Sequence, residues 1–306
     1  MNAPTPATEI ADSRYAGLDT WDDAAILAAL LDGQKRALAS VEAAIPALAR
    51  AARLAADKLA AGGRLVYLGA GSPALISLGD ALEIPQTYGV ARDRIVLIMA
   101  GGQAITQNLT GADEDNADLA RGDAGRAGIG PADCVVATSA SGSTPYTVAG
   151  LEAARKAGAA TVGIAGNAGA PLLSIAEVGV LLDAGPEVIS GSTRMGAGTA
   201  QKAALNMLST LIGVRLGHVH DGLMVNVTAD NEKLRGRATR IVMRITGADE
   251  AKARDALNQS DGAVKPAILI AAGVRTLAEA ENLLGQTKGN LRTALATIGA
   301  VTPALN

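Results

Sequence analysis

At 306 residues the chain can bury a full core, either as one large domain or as two of unequal size. A net charge of −3 argues against nucleic acid as the main partner, and the lone cysteine, Cys134, excludes a disulfide framework and a cysteine-based metal site. With no Phe, one Trp and 49% hydrophobic residues, the core must be Ala, Leu, Val and Ile, which favours helices packed on a parallel sheet.

The first stretch, MNAPTPATEIADSRY, lacks a basic region followed by an apolar run, so it does not read as a signal peptide. No apolar stretch is long enough to span a bilayer, and the expectation is a soluble cytoplasmic protein with no membrane partner. Residues 1–18 read as a loose polar arm. Asp19 and Thr20 can cap a helix starting near Trp21, and an Ala- and Leu-rich helical pattern follows from Ala24 to Leu59. Gly33 and Pro46 suggest breaks in it, and Gly62-Gly63 ends it.

A strand–helix rhythm comes next. Arg64–Leu68, Arg94–Met99, Cys134–Thr138, Thr161–Ile164 and Val178–Leu182 are short apolar runs separated mostly by helical patterns. This predicts an α/β fold with a doubly wound five-stranded parallel sheet, whose ligands bind beyond the carboxyl ends of the strands. Two small-residue loops fall there: Gly69-Ala70-Gly71-Ser72, and Ser139 to Pro145. In Gly191–Leu216 a Gly/Ser/Thr loop containing Ser192 leads into a helix. Ala204, Leu205, Leu208, Leu211 and Ile212 form its apolar face, and Thr199, Lys202, Asn206 and Ser209 form a polar stripe suited to a wet pocket. That loop can aim backbone N–H groups at an anion. Beyond Leu216 the pattern is helical through Asn231–Ile245. Thr246-Gly247-Ala248-Asp249 marks a boundary, and the remainder reads as a small helical module with a turn at Ser260-Asp261-Gly262. The expected division is 1–60, 61–246 and 247–306.

Several residues could carry chemistry. Ser139, Ser141, Ser143 and Thr144 cluster hydroxyls and N–H groups at a strand-to-helix turn, which makes either a phosphate cradle or a Ser-rich capping turn. GAGSPA lacks the third Gly of a dinucleotide fingerprint. Glu83, among apolar neighbours before Pro85, is a candidate general base if desolvation lifts its pKa from about 4.3 toward neutrality. Asp113, Glu114 and Asp115 supply a second carboxylate or cap a helix, and Glu187 leads into the loop at Gly191. His218 and His220 are two apart, a spacing unsuited to a zinc site on one helix face.

Four blocks, GGRLVYLGAG, ASGSTPYTVAGLEAARKAGAATVGI, GPEVISGSTRMGAGTAQKAALNMLST and LMVNVTADNEKLRGRATRIV, occur in this order over roughly residues 60–246. Together they resemble the N-acetylmuramic acid 6-phosphate etherase family. The C-terminal TGADEAKARDALNQSDGAVKPAIL resembles that family's ubiquitin-associated-like tail. The resemblance implies a sugar isomerase (SIS) fold and a homodimer with shared active sites. It implies cleavage of the D-lactyl ether of a phosphorylated amino sugar in cell-wall recycling, with no metal or organic cofactor. Its motif places a catalytic Glu at Glu83, in a segment that usually reads DASECPP and here reads DALEIPQ. The second catalytic carboxylate falls on Asp113 or Glu114. Substrate contacts are expected from Ser72, the Ser139–Thr144 loop, Glu187, Ser192 and Lys202.

The chain departs from the family pattern at four places. GAGTSGR is GAGSPAL, and the acidic motif resembling VEGAED is LTGADED, with Thr110 at its first Glu. The Lys after TRM or TRL is Gly196, and the Arg of SGRTPY is Ser143. Intact Glu83 favours an enzyme, while the changed acidic motif leaves room for a sugar-phosphate-binding regulator without catalysis. An amino sugar phosphate isomerase is the remaining alternative.

Overall fold

The apolar runs become strands whose bounds lie within one residue of those the pattern predicts. In the computed structural model, which describes residues 7–107 and 111–300, the order begins with helix α1 (Asp23–Ala60), β1 (Leu65–Gly69), α2 (Gly71–Tyr88) and β2 (Ile95–Met99). It continues with α3 (Ala117–Arg126), β3 (Cys134–Ser139), α4 (Pro145–Lys156), β4 (Ala160–Ala165), α5 (Pro171–Ile175), β5 (Val178–Leu181) and α6 (Gly196–Arg215). The five strands form one parallel sheet in the order β2-β1-β3-β4-β5, with helices on both sides. Every residue of β1, β3 and β4 is buried, as expected where both faces are covered. On one face Val66, Leu68, Val135 and Ala137 pack with Tyr146, Leu151 and Leu172. No helix among the described residues is long and apolar enough to cross a membrane.

From β1 the chain steps to β2 on one side and then to β3 on the other. The sheet's switch point therefore lies between the carboxyl ends of β1 and β3. The two small-residue loops leave from those ends.

The chain divides into two compact units, Met1–Ala81 with Asp93–Leu211, and Leu82–Arg92 with Ile212–Asn306. The second contains the short antiparallel pair β6 (Val219–His220) and β7 (Leu223–Met224). It also holds α7 (Glu232–Thr246), α8 (Glu250–Gln259), α9 (Val264–Ala271), α10 (Leu277–Gln286) and α11 (Leu291–Thr297). Its core joins Val225 and Val227 to Leu234, Ile241, Val242, Ile268, Leu269 and Leu291. Because α7 shares this core, packing draws the unit's edge earlier than the composition change near residue 247 does.

Three local expectations need correction. Helix α1 runs unbroken through Gly33 and Pro46. A Cβ on Gly33 would fall 2.4 Å from Val188 Cγ2, so the glycine serves a close approach and does not break the helix. The N-cap of α1 is Asp22, whose side chain accepts from Ala25 N, and Asp19 and Thr20 belong to the preceding short turn. The arm is not loose over its described part. Ala7 N donates to Asn167 Oδ1, Gly191 N donates to Thr8 O, and Thr8 is buried.

Candidate functional site

The switch point gathers a carboxylate, a glycine turn and a hydroxyl loop. Gly71, with φ of +58°, opens α2 directly after β1. A Cβ built there would lie 2.8 Å from Glu114 Oε1 and 3.0 Å from Oε2, so only glycine lets the carboxylate settle over this turn. Glu114 is held on the other side by its backbone, whose carbonyl accepts from Tyr146 N in the first turn of α4. Tyr146 is fully buried, and its hydroxyl donates to Asp123 Oδ2 at 2.6 Å. The Glu114 carboxyl is half-buried. Burial lifts its pKa above the usual carboxylate range, and the charge of Asp115 adds to the shift. Asp113 points elsewhere, its Oδ2 lying 3.3 Å from the Cβ position of Gly101 beyond β2.

The loop after β3 is a compact hydroxyl turn. Ser139 is buried, and its Oγ accepts from Gly142 N at 2.9 Å and lies 2.9 Å from Thr144 Oγ1. Ser141 Oγ accepts from both Ser143 N and Ser143 Oγ at 3.2 Å. Gly142 has φ of +74°, and a Cβ there would meet Ala170 Cβ at 2.5 Å. Asn167 Nδ2 donates to Ser141 O at 3.1 Å and ties the loop to the turn after β4. Ser139 therefore shapes the loop, while Ser143 is exposed and Ser141 and Thr144 are half-buried at the start of α4. Ser72 is half-buried in the first turn of α2.

Other predicted residues take different places. Glu187 is buried, its Oε2 accepts from Gly196 N at 2.9 Å and its Oε1 from Ala197 N at 2.8 Å. The chain's own carboxylate thus caps α6 and occupies the N–H groups expected to meet a ligand, which corrects the substrate contact expected of Glu187. Gly196 leaves room for this, since a Cβ there would lie 2.9 Å from Glu187 Oε2 and 3.2 Å from Ala37 Cβ. Ser192 is half-buried in the turn before α6, where its carbonyl accepts from Met195 N. The polar stripe of α6, expected to suit a wet pocket, makes hydrogen bonds within the protein. Thr199 donates to Gln34 Oε1 at 2.7 Å, and Asn206 and Ser209 both donate to Asp80, a residue that no local pattern in the sequence marks. Lys202 is exposed and donates to Asn206 Oδ1.

Glu83 belongs to the second unit, on the part of α2 that starts at Leu82, and it is exposed. The desolvated carboxylate expected there is found at Glu114. Thr110 lies outside the described residues. In the second unit His218 is pushed down to about 4, by burial first and then by the charge of Lys265.

Comparison with known proteins decides the family. A protein of Deinococcus radiodurans named N-acetylmuramic acid 6-phosphate etherase is 47% identical over 264 residues, covering 86% of each chain. One of the same name from Mycolicibacterium smegmatis is 41% identical over 96% of this chain and 99% of its own. This chain belongs to the N-acetylmuramic acid 6-phosphate etherase family. An SIS domain model matches residues 31–166. Among solved structures, a phosphoheptose isomerase from Francisella tularensis overlaps 64% of this chain and 98% of its own, at 16% identity and a TM-score of 0.47. Within the etherase family, the Ser143 and Gly196 departures fall on an exposed loop hydroxyl and on the capped start of α6.

Proposed function

We propose that this chain cleaves the D-lactyl ether of N-acetylmuramic acid 6-phosphate, giving N-acetylglucosamine 6-phosphate and D-lactate, with Glu114 and Glu83 as the catalytic carboxylates that the family resemblance implies. The observation that carries the site assignment is the Glu114 carboxylate over Gly71 at the switch point, beside the hydroxyl loop after β3. In the open-chain sugar the C1 aldehyde acidifies the proton on C2. Glu114, half-buried with a raised pKa, takes that proton, since a base works best when its pKa approaches the working pH. The C3–O bond then breaks, and the departing lactate oxygen takes a proton delivered by Glu83. Water adds across C2–C3, its hydroxyl at C3 and its proton at C2. Ser141, Ser143, Thr144 and the first turn of α4 hold the phosphate, with Ser72 alongside. Three cations of the family pattern are absent from this chain, the Arg of GAGTSGR, the Arg at Ser143 and the Lys at Gly196. The preference for the phosphorylated sugar is therefore narrower than among relatives, because a charge-assisted hydrogen bond contributes roughly 1.5–3 kcal/mol against about 1 for a neutral one. The setting is cytoplasmic recycling of cell-wall amino sugars.

The working form is a homodimer. Leu27, Leu31, Leu38 and Ile45 follow one another at intervals of four, seven and seven residues along α1, and are 66%, 53%, 48% and 47% exposed. This spacing puts them on one face, which a second copy would cover. The activity test incubates the protein separately with N-acetylmuramic acid and its 6-phosphate and measures D-lactate. Faster release from the 6-phosphate is expected. Release only from the unphosphorylated sugar would overturn the phosphate cradle. Tight binding of the 6-phosphate without release would make the chain a regulator.

A further inference from the structure

We propose that Asp80 is a positioning residue, which orients Lys202 toward an anionic group of the substrate through Asn206. The proposal rests on the reading of Lys202 as a substrate contact. Asp80 lies in α2 and is 5% exposed. Tyr67 in β1 donates its hydroxyl to Asp80 Oδ2 at 2.6 Å, and Asn206 Nδ2 and Ser209 Oγ in α6 donate to Oδ1 at 2.7 and 2.9 Å. Three side-chain donors from a strand and a helix thus converge on one buried carboxylate.

Packing alone does not call for this arrangement. A buried charge is costly to desolvate, and well-packed apolar side chains of similar volume often serve equally well or better. Orientation does call for it. An ionised carboxylate only accepts hydrogen bonds, so Asp80 compels Asn206 to turn its amide NH₂ inward and its carbonyl oxygen outward. That outward oxygen is the one that accepts from Lys202 Nζ. Lys202, Asn206 and Ser209 stand at i, i+4 and i+7, so one face of α6 carries the line from the exposed ammonium to the buried acid. The immediate partner of Lys202 is a neutral carbonyl. Among the described residues Lys202 forms no ion pair, and its charge, although felt by the Asp80 carboxylate behind Asn206, is left for an incoming anion. Asparagine at position 80 could present either end of its amide to Asn206, and the orientation of Lys202 would no longer be imposed.

The test compares steady-state kinetics of the full chain on N-acetylmuramic acid 6-phosphate for wild type, Lys202→Met, Asp80→Asn and the double variant. Loss of one charge-assisted contact is expected to raise KM about tenfold in Lys202→Met, with kcat changed by less than a few fold. Asp80→Asn should give a similar rise in KM. The double variant should be no worse than the worse single variant, because Asp80 acts through Lys202. Multiplying effects in the double variant, or a loss confined to kcat, would reduce Asp80 to a structural role and overturn the proposal. An unchanged KM in Lys202→Met would remove Lys202 from the substrate contacts and end the proposal, while D-lactate release by wild type would leave the etherase reading intact. If Asp80→Asn does not fold, Asn206→Ala breaks the same line from its outer end and must reproduce the Lys202→Met effect.

Discussion

Glu114 settles over Gly71 because no other residue leaves space there, and the proposed mechanism gives the two carboxylates different chemical roles. Replacing either by glutamine keeps size and hydrogen bonding while removing proton transfer, an effect on the order of 10²–10⁴-fold. Glu114→Gln should lose both D-lactate release and exchange of the C2 hydrogen with deuterium from heavy water. Glu83→Gln should lose lactate release and retain C2 exchange. The opposite pattern would interchange the two roles. Both residues are candidates in the sequence, but the desolvated carboxylate expected at Glu83 lies at Glu114, because apolar neighbours in the chain are not neighbours in space. Leu82 next to Glu83 is itself 55% exposed. Asp80 went unread for a related reason. Its partners lie 13, 126 and 129 positions away, and no local pattern announces a pairing at such separations.

At the scale of elements, the strands were legible because each is a short apolar run ended by small or turn residues, and β1, β3 and β4 are buried on both faces. Helix α1 was misread at Gly33 because a glycine that admits Val188 looks the same in sequence as one that ends a helix. The β6–β7 pair was missed, since two-residue strands carry no periodicity. In that second unit a buried cation shapes the pH response. Lys265 is buried, donates to Gly289 O at 2.9 Å, and is pushed down to about 8 by burial. Burial and this neighbouring charge hold His218 at about 4, below its ordinary 6.5. The unfolded chain therefore binds a proton more readily than the folded one between these values. The histidine's contribution to stability should be fully present above about pH 6.5 and be lost as the pH drops toward 4, by no more than about 3 kcal/mol. Denaturant melts at pH 7 and pH 4.5 check the sign, and His218→Gln should flatten the dependence. Equal slopes in wild type and variant would acquit the histidine.

At the scale of the whole molecule, the exposed stripe on α1 and the shared sites that the family resemblance implies make one expectation about assembly. Light scattering at micromolar concentration should give twice the chain mass, and an obligate interface should bury at least about 2,000 Å². A mass near 30.6 kDa would contradict this. Such an interface leaves little trace in sequence, because nothing in the Ala- and Leu-rich pattern of Ala24 to Leu59 marks Leu27 and Leu31 as exposed. Elsewhere the same all-aliphatic economy has a practical side. The chain's one cysteine, Cys134, is wholly buried in the central strand β3, and burial pushes its thiol up to about 12. A thiolate reacts and a buried thiol does not, so the native protein is silent to thiol-directed dyes and becomes visible only when its sheet opens. The molecule carries its own unfolding reporter, and a cysteine engineered at any surface position would be the sole site labelled in the folded state.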